Sequence, residues 1–147
     1  MDGKIIDSIS DNLFHVYPLI YKKLLKVDFE SVQEGLTYLH FLILRMLART
    51  GALPISEIGR RLLIPRPQMT HLVDQLIDLR LVTRRHGEED RRIIYVELTG
   101  EGQAGLKKCG ELIRLNVRTK LASLNESELA ELSEVMVKLD SLTARLR

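Results

Sequence analysis

The chain has 147 residues and 45% apolar composition, enough for one ordinary globular domain and unlike a disordered, collagen-like or low-complexity polymer. Its 22 Lys+Arg stand against 20 Asp+Glu, a net charge of +2 that by itself names no partner. The single cysteine, Cys109, makes neither an internal disulfide nor a cysteine cage, no basic-then-apolar leader is read, and the longest apolar stretch, Leu39 to Leu44, is far below the ~20 residues of a membrane span; a soluble, cytoplasmic protein with no membrane partner is expected.

Near the start, Ile6, Ile9, Leu13, Val16, Ile20, Leu24 and Val27 recur at steps of three and four, which predicts one apolar stripe of a helix. Pro18 lies inside it and predicts a kink between Phe14 and Pro18. Asp28 to Gly35 is polar and reads as a connection. Leu36 to Arg49 is apolar on most sides, as in a central helix covered all round, and Gly51 stops it. Ile55 to Leu63 predicts a short helix. After a break at Ile64-Pro65, the spacing of Met69, Leu72, Val73, Leu76 and Leu79 predicts a second, so the pair is a helix-turn-helix candidate. The period then changes. Leu81 to Arg85 and Arg92 to Leu98 read as strands around the turn His86 to Asp90, a hairpin placed as the wing of a winged helix.

Thr99 can cap a long helix to about Leu124, and Asn125 with Glu128 forms a capping box for another. The fold class is therefore mainly α with a small β-hairpin wing. A small helix-turn-helix cannot bury the apolar stripes at both chain ends, so these are expected to pack on a second copy of the chain.

Gly100-Glu101-Gly102-Gln103-Ala104-Gly105 spells GxGxxG after a strand and at a helix start. A dinucleotide site also needs a crossover to a parallel strand with an acidic residue about 20 positions on. Here helix follows helix, and the glycines read better as easing close packing under the wing. The four histidines show no metal-ligand spacing, and neither Ser nor Cys stands in a nucleophile context. No enzyme activity, metal or cofactor is expected.

The arginines say more. Between Pro54 and Leu98 every basic residue apart from histidine is an arginine: Arg60, Arg61, Arg66, Arg80, Arg84, Arg85, Arg91 and Arg92. Arg66 falls in the first turn of the second short helix, where a recognition helix meets base edges. Arg84, Arg85, Arg91 and Arg92 flank the wing turn, and guanidinium forks grip phosphates and fit a narrow minor groove.

The run Leu81-Val-Thr-Arg-Arg-His-Gly-Glu-Glu-Asp-Arg-Arg-Ile-Ile-Tyr-Val-Glu-Leu-Thr-Gly-Glu-Gly102 closely resembles the wing signature of the MarR family of transcriptional regulators: LVxR, an acidic turn, DxR, an alternating strand, LTxxG. Ile55-Ser-Glu-Ile-Gly-Arg-Arg-Leu and Met69-Thr-His-Leu-Val-Asp-Gln-Leu extend the likeness, which covers essentially the whole chain. It implies a single domain with a winged helix-turn-helix over 36–99 for DNA binding and dimerisation helices over 1–35 and 100–147. It further implies a homodimer on a palindromic double-stranded DNA operator, acting as a repressor and released by a small-molecule effector. The wing residue Arg92 would enter the minor groove, oriented by Asp90. Arg66, Pro67, Gln68, Thr70 and His71 match the start of the recognition helix. The sequence departs from the family pattern at Pro65, His71 and Arg80, the last standing where a glycine is usual. If an effector pocket exists, His15, Tyr17, Tyr38 and His40 are its candidates. The rival reading is a winged helix used for protein contact or sequence-indifferent DNA packaging.

Overall fold

A computed structural model describes residues 2–146. Along these residues run α1 (Gly3–Ile20), α2 (Tyr38–Thr50), β1 (Leu53–Pro54), α3 (Ile55–Leu62), α4 (Arg66–Asp78), β2 (Val82–His86), β3 (Ile94–Leu98), α5 (Gly100–Leu121) and α6 (Glu126–Thr143). The strands form one antiparallel sheet in the order β1-β3-β2. The chain divides into two compact units, residues up to Leu25 with those from Arg114, and Lys26–Ile113; the division falls inside α5.

The Lys26–Ile113 unit is the expected winged helix-turn-helix. Ile43, Leu44 and Leu47 of α2, Ile58 of α3, Met69, Val73 and Leu76 of α4 and Val96 of β3 are sealed in one core with Cys109. The helical spacing of these side chains is what turns each apolar stripe inward. α3 and α4 meet at Gly59, where a Cβ would lie 2.9 Å from Met69 Cγ and 3.0 Å from the Ile64 carbonyl oxygen. Both helices end in the same turn. Ile64 N donates to Gly59 O at 2.9 Å and Leu63 takes φ 55°; Leu81 N donates to Leu76 O at 3.0 Å and Arg80 takes φ 63°. These are left-handed C-terminal turns built without glycine, so Arg80 itself adopts the conformation that glycine would accept freely.

The hairpin pairs Val82 with Leu98 and Arg84 with Val96. A third strand was not expected: Leu53 and Pro54 pair with Val96 and Tyr95 at the sheet edge, where a proline is tolerated. Of the GxGxxG glycines, Gly102 serves the close packing expected. A Cβ at Gly102 would fall 2.0 Å from the Leu81 carbonyl oxygen, whereas Gly100 meets nothing. Thr99 Oγ1 accepts from Gly102 N at 2.9 Å, capping α5 as expected. The helix stops at Leu121 rather than near Leu124.

One reading is refined in this unit and one expectation fails. The polar run from Asp28 to Gly35 contains a 3-10 turn over Phe29–Ser31 whose Phe29 is buried, with its ring 5.8 Å from that of Phe41. Nor is α2 covered all round: Arg45, Ala48 and Arg49 are exposed, because the packing elements cover only one side of it.

In the unit of the chain ends, Asp2 caps α1 and the Asn125–Glu128 capping box opens α6 with both hydrogen bonds at 2.9 Å. Pro18, where a kink is expected, lies inside α1, and a further irregularity follows it. α1 continues through Pro18, and the ladder widens into a π-turn only over Tyr21–Leu25. Asn116 Nδ2 donates there to Leu24 O at 2.8 Å and Lys23 O at 3.3 Å, satisfying carbonyls at the end of the widened turn. Ile5, Ile6, Ile9, Leu13, Phe14 and Tyr17 of α1 and Val135, Met136, Val137, Leu139 and Leu142 of α6 stand exposed. No helix among the described residues is long and apolar enough to cross a membrane.

Candidate nucleic-acid interface

α4 divides its residues cleanly. Met69, Leu72, Val73 and Leu76 face the core, and Arg66, Pro67, Gln68, Thr70 and His71 are exposed. Pro65 is the N-cap and Pro67 lies in the first turn, positions whose amides have no partner within a helix. The first turn therefore projects side chains while offering few free backbone donors.

The wing approaches the same face. Arg66 and Thr70 of α4 and Arg84 and Arg92 of the hairpin line one cleft of about 280 Å³, so residues read separately along the chain converge. Arg84 is ion-paired to Asp74 of α4, a link between hairpin and helix that leaves both side chains partly exposed. Asp74 carried no signal in the sequence, since its partner stands ten positions away on another element.

At the wing tip, Asp90 Oδ1 accepts from Arg92 N at 3.0 Å and from Nε at 3.1 Å, and Oδ2 accepts from Nη2 at 3.1 Å. The carboxyl of Asp90 is held below its usual range by these bonds. The Arg92 side chain is nevertheless 90% exposed. This is a cation with its direction set and its outer surface free. Arg85 lies over the Tyr95 ring, 4.9 Å from the centroid, and 3.6 Å from Glu97. Arg91 is exposed, and its carbonyl accepts from His86 Nδ1–H at 2.7 Å, closing the base of the turn. Gly87 is required in that turn, since a Cβ would sit 2.6 Å from the Asp90 carbonyl oxygen.

On α3, Glu57 accepts from Arg60 at 2.6 Å and from Arg61 at 2.8 Å, which pushes its carboxyl down to about 2. Two of the eight arginines are thus already engaged on the first helix of the motif.

The model of the MarR family matches residues 34–93, the helix-turn-helix and most of the wing. A curated relative, the transcriptional repressor MdtR of Bacillus subtilis, is 26% identical over 92% of this chain and 88% of its own length. Over these residues the chain is similar to the MarR family. Apo MarR from E. coli has the same fold, with a TM-score of 0.74 and 22% identity, covering 88% of this chain and 95% of that one. BpsR of Bordetella bronchiseptica, whose DNA binding is regulated by 6-hydroxynicotinic acid, aligns with a TM-score of 0.67 and 20% identity over 89% of this chain and 94% of its own. Asp90 and Arg92 lie inside the matched segment.

The four effector-pocket candidates are distributed two to each unit. His15 and Tyr17 are exposed on α1 in the unit of the chain ends. Tyr38 stacks with Phe41 at 6.3 Å in the other unit. His40 is buried and bonded on both ring nitrogens: Nδ1 accepts from Thr37 N at 3.0 Å, which leaves the proton on Nε2 to be donated to Gln75 Oε1 at 3.0 Å.

Proposed function

We propose that this chain is a sequence-specific, cytoplasmic transcriptional regulator that represses as a homodimer bound to a palindromic operator. The observation that carries this reading is the shared cleft of Arg66, Thr70, Arg84 and Arg92, flanked by the exposed Gln68 and His71. α4 enters the major groove by its first turn. There Arg66 and Gln68 offer bidentate hydrogen-bonding groups to guanine and adenine edges. Arg92, aimed by Asp90, reaches the adjacent minor groove, where a guanidinium is favoured by a narrow, negative channel. Arg85 and Arg91 contact phosphates beside it.

The exposed apolar faces of α1 and α6 support pairing of two copies, because water-exposed stripes of that length are costly for a monomer. A twofold dimer sets two recognition helices roughly 34 to 36 Å apart, one turn of DNA. Release by a small organic effector follows if that ligand prefers a dimer with different head spacing. The regulation of BpsR by 6-hydroxynicotinic acid supports an effector of this kind.

Selection of bound sites from random duplex DNA tests the reading. Recovery of a palindrome with half-sites one turn apart is expected. Salt-dependent binding with no sequence preference would instead mark an architectural protein.

A further inference from the structure

Among the described residues, His40 is the buried polar side chain of the core, and its placement does more than satisfy itself. It stands at the start of α2, where Thr37 caps the helix, and its Nε2–H reaches across to Gln75 on α4. At the C-cap of α4, Gln33 Nε2 donates to the Leu79 carbonyl oxygen at 3.2 Å. Gln75 and Leu79 lie four residues apart and so share one side of the helix. Both donors come from the segment that precedes and opens α2.

The remaining hold on α4 is the apolar packing of Met69, Leu72, Val73 and Leu76, with one partly exposed ion pair from Asp74 to Arg84 of the wing, a surface contact of small worth. Apolar contact is non-directional: it decides which face is inward but resists a small axial slide or rotation weakly. Hydrogen bonds fix distance and angle. A helix advances 1.5 Å and turns 100° per residue, so even part of a residue's slip would swing Arg66 and Gln68 away from the bases they address. Resting on the DNA-reading role proposed above, we propose that Gln33 and His40 form a two-point latch that sets the register of the recognition helix, so that they act as positioning residues for sequence discrimination without touching DNA.

The latch separates from general stability by substitution at its outer partners. Gln75→Met keeps length and shape but removes the acceptor; Gln33→Met removes the second donor; Gln75→Glu keeps an acceptor for His40. Each variant and the wild type are titrated against the selected operator and a scrambled duplex, with thermal unfolding followed in parallel. Gln75→Met and Gln33→Met are expected to lower the ratio of operator to scrambled affinity about fivefold to tenfold each, the worth of one hydrogen bond, while scrambled binding holds. Gln75→Glu is expected to retain the wild-type ratio. A ratio unchanged within twofold in both Met variants overturns the latch, as does an equal loss on both duplexes, which would mark a structural role alone. A wild-type ratio near one overturns the DNA-reading proposal itself, and the latch with it.

Discussion

Asp90 grips Arg92 through two parallel hydrogen bonds of 3.1 Å, Nε to Oδ1 and Nη2 to Oδ2, without covering it. The pair lies two residues apart on the wing, so orientation is set locally and survives whatever the rest of the hairpin does. Arg92→Ala is expected to weaken operator binding by about 1–3 kcal/mol with the dimer intact in sedimentation. Asp90→Ala keeps the cation but frees its direction, and a smaller loss is expected. Unchanged affinity in Arg92→Ala would remove the wing from the mechanism.

Arg66 and Gln68 project from the first turn of α4. Replacing either with alanine is expected to cost about 1–3 kcal/mol and to relax preference at particular operator positions. Reselecting sites with each variant reads this directly; equal loss on every sequence would make them phosphate contacts.

The left-handed turn at Arg80, with φ 63°, costs an L-residue energy that glycine avoids. Arg80→Gly is expected to raise stability by about 0.5–1 kcal/mol in urea unfolding. Gly102→Ala should do the opposite, by about 3 kcal/mol or more, since its Cβ would sit 2.0 Å from the Leu81 carbonyl oxygen.

Burial lowers the pKa of His40 below its ordinary 6.5, outweighing the opposing hydrogen bond to Gln75. The unfolded chain therefore takes up a proton at a pH where the folded chain does not. Stability is expected to be level above about pH 6.5 and to fall as the pH drops below it, toward the lower folded-state value. Urea midpoints measured between pH 7.5 and pH 5 check this, and His40→Phe should flatten the slope even though it lowers stability throughout.

Leu139 is one of the exposed apolar residues of α6. Leu139→Asp is expected to split the proposed dimer and abolish tight operator binding, read by sedimentation and gel shift together. A monomer that binds its operator fully would contradict the two-headed arrangement.

Much of the winged helix was legible because its signals are local. Apolar side chains three and four apart mark α4, alternation marks β3, and Thr99, Asn125 and Glu128 announce the helix starts with side chains that bond within three residues. β1 was not legible: two residues carry no period, and the strand exists only because Val96 and Tyr95 are already in place to pair with it. Phe29 hid in a polar run because one buried ring is not a pattern. The widened turn after α1 was not legible either, because it lies where Asn116, more than ninety positions on, offers the carbonyls another partner.

The sequence by itself determined the likeness to the MarR wing, the order of the helices and the two hairpin strands, and the placement of arginines on the second helix of the motif and on the wing, because periodicity, caps and the DxR spacing act over a few residues. Only the tertiary structure decided what those groups do to one another. It tied Arg84 to Asp74 across ten positions, His40 to Gln75 across 35 and Gln33 to Leu79 across 46. It also placed His40 in the core, joined to α4 through Gln75. The reason is physical: a buried polar atom must find a partner wherever the fold brings one within reach, and that distance is not written in the spacing of the chain.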